Sequence, residues 1–360
     1  MSECIYCNAT ADSLEHPLPA AFGEFINAPQ LENRICKPCN NTRLGVLDEQ
    51  LSRCGPEGLL RRHYGITGRA NHEPVNPFYR GSAGGHRIEF KTYDEQLGFD
   101  VLIECDAGVY RQVRQIIFVE QSGRTHHLPI REGNTPEQLR AAYEELGVKR
   151  PAELHFLCDD DEKHWVEPLL IKTFGGTLSS TRAEGSATYN GAIGTVTVTN
   201  RYFRAIAKIG FHYFLTQYPG YTGEEENFSK LRTFILDEDS PLERANDFIA
   251  KRELPLLQAM LRAGTRPAGW RAHLLAAEIK NGALLGHVQL FITEDWPAPA
   301  YTIQLGHGSL LRDRAAGHLY AYYQDGPHGS YAGEAQELAT KRTSLVASLS
   351  PVITRAHDRC

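Results

Sequence analysis

Apolar residues recur along this chain in two rhythms, and the change between them divides the text. Over residues 87 to 93 apolar and polar positions alternate with period two, and residues 101–103, 116–119 and 154–157 are short apolar runs of strand length. Thr135-Pro136-Glu137-Gln138 breaks this series with a hydroxyl cap and a proline at the first helical position, which predicts a helix to about Gly147. From Asn200 the period lengthens. Phe203, Ile206, Ile209, Tyr213 and Phe214 fall at helical spacing until Tyr218-Pro219-Gly220 stops the run. Further helices are expected over residues 228 to 236, 240 to 261 and 333 to 349, and strands over 272 to 279, 286 to 292, 301 to 305 and 319 to 323.

Mixed helix and strand text predicts an α+β fold, and the chain carries no internal repeat that would suggest a solenoid. Gly65, Gly68, Pro74, Pro77, Gly81, Gly84 and Gly85 punctuate a polar stretch and predict a linker over 65–85. The expected organisation is therefore a module over 1–64, the linker, and an α+β region of unassigned role over 86–360, with a division near 195–200 as one option. At 41% hydrophobic and 23% charged residues the composition is that of a soluble protein able to bury a core. No run approaches the roughly 18 apolar residues of a membrane span. The start Met1-Ser2-Glu3-Cys4 lacks a basic stretch followed by an apolar one, so no membrane association is expected and the expected compartment is the cytoplasm.

Cysteine usage sharpens the picture. Of the eight cysteines, four form two Cys-x-x-Cys pairs, Cys4/Cys7 and Cys36/Cys39, while Cys54, Cys105, Cys158 and Cys360 are scattered singly. This is metal usage in a reducing compartment rather than a disulfide framework, because each short knuckle turns two sulfurs back toward one point, as tetrahedral structural zinc requires. Between the knuckles lies Glu15-His16-Pro17, and the second knuckle runs into Asn40-Asn41. A carboxylate beside a histidine near an amide-bearing helix start suits hydrolysis of a phosphodiester with one divalent metal. Asn41 also reads as a helix N-cap, and Asp48 as a helix-face residue or a second metal ligand.

Net charge of −6 is unfavourable for broad phosphate binding, and the first 70 residues carry seven Lys/Arg against eight Asp/Glu. Any grip on nucleic acid then falls to focused patches. The candidates are Arg61 and Arg62, and Arg201, Arg204 and Lys208, which share one helical face and read equally as a solvated helix edge. Asn200 to Arg204 mixes cations with aromatics able to stack on bases. His126-His127, and His155, Cys158 and His164 around Asp159-Asp160-Asp161, follow no closed metal spacing and read as solvated loop. Gly306-His307-Gly308 lacks the Lys-Ser/Thr ending of a phosphate loop, so no nucleotide cofactor is expected.

The N-terminal segment resembles the HNH endonucleases, the ββα-metal or His-Me finger nucleases, in the subgroup tied by a four-cysteine zinc site. The match covers about residues 4 to 54 in the family's order: Cys4-Ile5-Tyr6-Cys7, Leu14-Glu15-His16-Pro17-Leu18-Pro19, Asn33-Arg34-Ile35-Cys36-Lys37-Pro38-Cys39-Asn40-Asn41, then Leu44-Gly45 and Asp48. The resemblance implies that His16 is the general base and that Glu15 and Asn40 hold Mg²⁺ or Mn²⁺. Asn33 would brace the loop carrying His16. Many relatives carry histidine where Asn40 stands, so this is a His-Asn-Asn variant whose last residue can ligate a hard cation but cannot act as an acid. The implied partner is nucleic acid, DNA ahead of RNA, with 5′-phosphate and 3′-hydroxyl products. Double-strand cleavage would need a homodimer or two successive nicks. The alternative is a catalytically silent zinc module that binds nucleic acid or protein. A regulated form of the nuclease reading expects the isolated module to cut once residues 86–360 are removed.

Overall fold

The first strand, β1 (Leu14–Glu15), pairs antiparallel with β3 (Leu31–Glu32), Glu15 lying opposite Leu31, and β2 (Glu24–Ile26) lies between them in the chain. The structure is a computed structural model and describes residues 2–66, 88–106, 109–148, 151–176, 193–195, 198–252, 271–293, 298–308, 313–322, 332–337 and 349–351. After β3 the chain enters a helical run whose centre is α1 (Gly45–Glu49), flanked by wider π-type turns at Cys39–Leu44 and Gln50–Cys54. Such turns loosen the i→i+4 ladder and are common beside functional residues. Asn41 lies inside this run, which begins at Lys37 with the Asp12 carboxylate accepting from the Lys37 amide, so the N-cap reading of Asn41 is corrected. The short helix α2 (Pro56–His63) follows, with proline at its first position.

The contacts divide the chain into two units, Met1–Val75 with Thr197–Cys360, and Asn76–Val196. The linker expected over 65–85 lies outside the described residues, Gly65 and Ile66 excepted.

In the unit 76–196, β4 (Glu89–Asp94), β5 (Phe99–Asp106) and β6 (Val109–Gln112) form a sheet that β10 (Ile193–Thr195) extends beyond β4. A second sheet places β7 (Gln115–Val119) between β8 (Thr125–Pro129) and β9 (Glu153–Leu157). Helix α3 (Pro136–Leu146) has the expected cap, its Thr135 hydroxyl accepting from the Gln138 amide, and ends at Gly147 in the left-handed region with φ +66°. Helix α4 (Lys163–Phe174) was not among the expected elements, and the acidic tract before it, Asp159 to Asp161, is exposed to solvent. Asp159 and Glu162 form a capping box at the single 3₁₀ turn that leads into it, which is why an acidic tract starts a helix here. Ile116, Phe118, Leu139, Val166 and Leu170 make this unit's core. The histidines are structural: His127 bonds Gln115 and Thr125, His126 bonds Glu120, and His155 bonds Glu153.

The other unit is built on α5 (Asn200–Gln217), followed by α6 (Ser229–Leu236). Strands β11 (Ile249–Arg252), β12 (Ala272–Lys280), β13 (Ala283–Ile292), β14 (Ala300–His307), β15 (Arg314–Tyr322), β16 (Ala332–Glu337) and β17 (Leu349–Pro351) join β2 in one eight-stranded sheet. Its order is β17-β11-β14-β13-β12-β15-β16-β2, antiparallel except for the parallel β16–β2 pair. Two expected helices are corrected in part: residues 249–252 and 332–337 are strands, because pairing with β14 and β15 overrides the helix-forming tendency of Ala, Glu and Lys there, and the stretches 253–261 and 338–348 of those expected helices lie outside the described residues. Helix α5 packs on β12, β13 and β14, closely enough that a Cβ on Gly286 would stand 2.9 Å from the Gly210 carbonyl oxygen.

Residues 202 to 215 of α5 are all buried, including the polar ones, and each polar group is matched. Arg204 Nε donates to the Ile235 carbonyl at 2.9 Å, and the Tyr213 hydroxyl meets His318 Nδ1 at 2.7 Å. The Tyr202 hydroxyl donates to Glu57 Oε1 at 2.8 Å. Burial pushes the Glu57 carboxyl up to about 7 in spite of that hydrogen bond. As the pH rises from 4.5 to 7 the unfolded chain releases this proton while the folded one keeps it, so the native state loses stability across that window. The loss is about 3 kcal/mol. We therefore expect Glu57→Gln to be nearly neutral at pH 5 and to raise stability at pH 8, measured by urea unfolding at both values. Equal effects at the two pH values would contradict the assignment.

Candidate functional site

Both cysteine knuckles are formed by backbone hydrogen bonding local to the motif. The Cys4 carbonyl accepts from the Cys7 amide at 3.2 Å and the Asn8 amide at 3.0 Å, with Asn8 at φ +60° completing the turn. At the second knuckle the Cys36 carbonyl accepts from the Asn40 amide at 2.9 Å, so Cys39 sits in the first helical turn. The Ile5 amide donates to the Arg34 carbonyl at 3.0 Å and ties the two turns together. The four sulfurs lie within 4.8 Å of one another, and Cys7 Sγ stands 3.5 Å from Cys36 Sγ. A tetrahedral zinc with bonds of about 2.3 Å needs sulfurs about 3.8 Å apart, so the donor set fits that ion. Cys4, Cys36 and Cys39 are buried and Cys7 faces solvent. No other His/Cys/Asp/Glu group of this kind occurs among the described residues.

From this scaffold β1 carries Glu15 inward. Its carboxylate is buried, and Oε1 receives two groups from α5: Lys208 Nζ at 2.7 Å and His212 Nδ1 at 3.2 Å. Lys208 Nζ also donates to both Asp48 oxygens at 2.8 Å, and His212 Nε2 accepts from the Tyr6 hydroxyl at 2.8 Å. Burial raises the Glu15 carboxyl, but Lys208 and His212 outweigh it and hold it down at about 2. Burial also disfavours charge on Lys208, yet the two carboxylates push its ammonium above the ordinary value. Burial keeps His212 below its ordinary value. Burial lifts the Asp48 carboxyl to about 6 against the pull of Lys208, so only above that pH does the cluster hold two carboxylates, one ammonium and a neutral imidazole. Glu15 Oε2 takes no hydrogen bond among the described residues.

The next residue, His16, is half-buried and lines a cavity of about 220 Å³ walled by Leu18, Phe25, Pro29 and Tyr320. Asn40 turns its amide nitrogen toward Ser13 Oγ and the Leu14 carbonyl, both at 3.4 Å, which leaves Oδ1 without a hydrogen bond among the described residues. Asn40 therefore lies beside the start of β1, against Ser13 and Leu14, while Glu15 turns its carboxylate to α5 and His16 faces the cavity. Asn33 is not a side-chain brace: its side chain is exposed at φ +51°, and its backbone does the tying, with the amide donating to Ser13 and the carbonyl accepting from Ser2.

The basic candidates for phosphate contact need correction. Arg61, Arg204 and Lys208 are buried, Arg61 donating to the Ile66 carbonyl at 3.0 Å, and a buried, already bonded cation cannot meet a nucleic-acid backbone. Nor are Arg204 and Lys208 a solvated helix edge. Arg62 and Arg201 are half-buried. Sequence reasoning missed Tyr6, Lys208 and His212 as neighbours of Glu15, although Lys208 and His212 stand four apart among aromatic residues of a helix, and such polar pairs in an apolar helix need internal partners. Comparison with family models, with curated proteins and with solved structures gives no match. No helix among the described residues is long and apolar enough to cross a membrane.

Proposed function

We propose that this chain is a metal-dependent endonuclease of the HNH type, hydrolysing phosphodiester bonds in nucleic acid, DNA ahead of RNA. The supporting observation is the end of β1: a four-cysteine cluster holds Glu15-His16 beside the Asn40 helix start, with Glu15 Oε2 and Asn40 Oδ1 both left over as oxygen donors. The paired strands β1 and β3 followed by the helical run give a ββα order consistent with the motif resemblance. Glu15 and Asn40 would hold Mg²⁺ or Mn²⁺, hard ions that prefer oxygen ligands. The chemistry that such an ion would supply is Lewis-acid polarisation of the scissile phosphate and stabilisation of the departing oxygen. His16 would accept the proton of the attacking water as its oxygen bonds to phosphorus and the bond to the 3′ oxygen breaks; the departing 3′ oxygen takes a proton from solvent water, which yields a 5′-phosphate and a 3′-hydroxyl.

Nicking of supercoiled plasmid by the purified protein tests this reading. We expect cleavage that requires Mg²⁺ or Mn²⁺ and falls by about 10²–10⁴-fold in His16→Ala with zinc content unchanged. Undiminished cleavage by that variant would refute the role of His16, and cleavage without a divalent ion would refute the metal.

A further inference from the structure

Three carboxylate oxygens surround one buried cationic centre. Lys208 Nζ stands 2.7 Å from Glu15 Oε1 and 2.8 Å from each oxygen of Asp48, and the lysine side chain is fully buried. Two carboxylates converging on a point inside a protein ordinarily repel each other, and proteins relieve that repulsion by protonating one or by placing a cation between them. A divalent ion among such oxygens would sit about 2.0–2.6 Å from them, slightly closer than the ammonium does. The three contributors come from β1, α1 and α5, so no local motif dictates the arrangement.

We propose that Lys208 is a positioning residue that occupies the place of a divalent cation between Glu15 and Asp48. The ammonium is a fixed ion: it pins Oε1 of Glu15, it cannot dissociate, and it keeps this carboxylate pair closed to exchangeable metal. Glu15 then has one oxygen, Oε2, to offer elsewhere. Only this last consequence rests on Glu15 being a ligand of the catalytic ion. The occupancy of the carboxylate pair does not.

Removing the ammonium should open the pair. Methionine ends one atom short of Nζ and fills the space of the lysine stem, so Lys208→Met leaves room where the charge stood, and Asp48, 29% exposed, gives an ion a way in. In the full-length, zinc-loaded protein we expect Lys208→Met to bind one Mn²⁺ more than the parent, counted from the paramagnetic resonance of free Mn²⁺. This extra ion should bind about tenfold or more tighter than any in Lys208→Met/Asp48→Asn, and it should raise the melting temperature of the single variant alone. Lys208→Arg, which keeps a cation in place, should gain no ion. A folded Lys208→Met with the parent's Mn²⁺ count and no stabilisation by Mn²⁺ would overturn the proposal. If Lys208→Met folds only when Mn²⁺ is added, the proposal is supported; if it stays unfolded in Mn²⁺ while the double variant folds, it is refuted. Plasmid nicking measured in parallel separates the two readings, because a gained ion without any nicking by the parent retains the lysine assignment and removes the nuclease.

Discussion

Chelation of the metal should unfold the whole of the first unit, including the C-terminal sheet. Cys4, Cys36 and Cys39 are not a surface clasp: they belong to the same buried cluster as Leu44, Leu47 and Leu51 of the helical run, Phe211, Phe214 and Leu215 of α5, and Val288 and Ile303 of the sheet. A structural zinc in a four-thiolate site contributes on the order of 10–16 kcal/mol of apparent binding energy, which is folding energy because the site does not exist in the unfolded chain. That equals or exceeds the roughly 5–15 kcal/mol by which a domain is stable. We expect about one zinc per chain, and loss of the β-sheet circular dichroism in step with zinc release under a strong chelator. Cys36→Ser should behave as the chelated protein does. A metal-free protein that keeps its melting temperature would show that the thiols pack as ordinary core residues.

Much of this architecture was legible because its causes are local. Two Cys-x-x-Cys turns need only a few residues each, so the sulfur cluster could be read from spacing alone. The Thr135-Pro136 start and Gly147 stop of α3 depend on backbone donors within one turn, and the apolar spacing of α5 survives to Pro219. The two strands misread as helices share one cause, pairing with residues outside their own segment. Residues 249–252 and 332–337 carry Ala, Glu, Lys and Gln, which favour helices, but the first stretch pairs with residues 300–303 and 349–351 and the second with 318–322 and 24–26, and the ladders decide. Lys208 illustrates the same limit at the candidate site. Its charge was visible, and its spacing to Arg201 and Arg204 suggested a shared face, but its partners Glu15 and Asp48 lie far back in the sequence. A cation within an apolar helix is silent about whether it meets phosphate, water or carboxylate until the opposing element is known.

The isolated segment 1–66 should not fold even when loaded with zinc, and so should not cut DNA as a free module. Among the described residues its strand β2 pairs with β16 alone, at the edge of a sheet whose other seven strands follow residue 248. Phe22 is fully buried against His273 and Phe291, and its carbonyl accepts from the Tyr322 hydroxyl. Tyr6 and Glu15 lose His212, Glu15 and Asp48 lose Lys208, and Glu57 loses Tyr202. Stripping one partner from a buried ion pair costs about 3–5 kcal/mol, and exposing the apolar faces of Phe22, Leu44, Leu47 and Leu51 adds about 1.5–3 kcal/mol for each side chain. Zinc can close the two knuckles, but it cannot replace α5 as the other half of their core. We expect zinc-loaded 1–66 to show a narrow amide spectrum by NMR and no cooperative melting, while a two-chain mixture with residues 197–360 recovers both. A dispersed spectrum from the fragment alone would mean that β1, β3 and the helical run suffice, and it would restore the picture of a separable nuclease module governed by the rest of the chain.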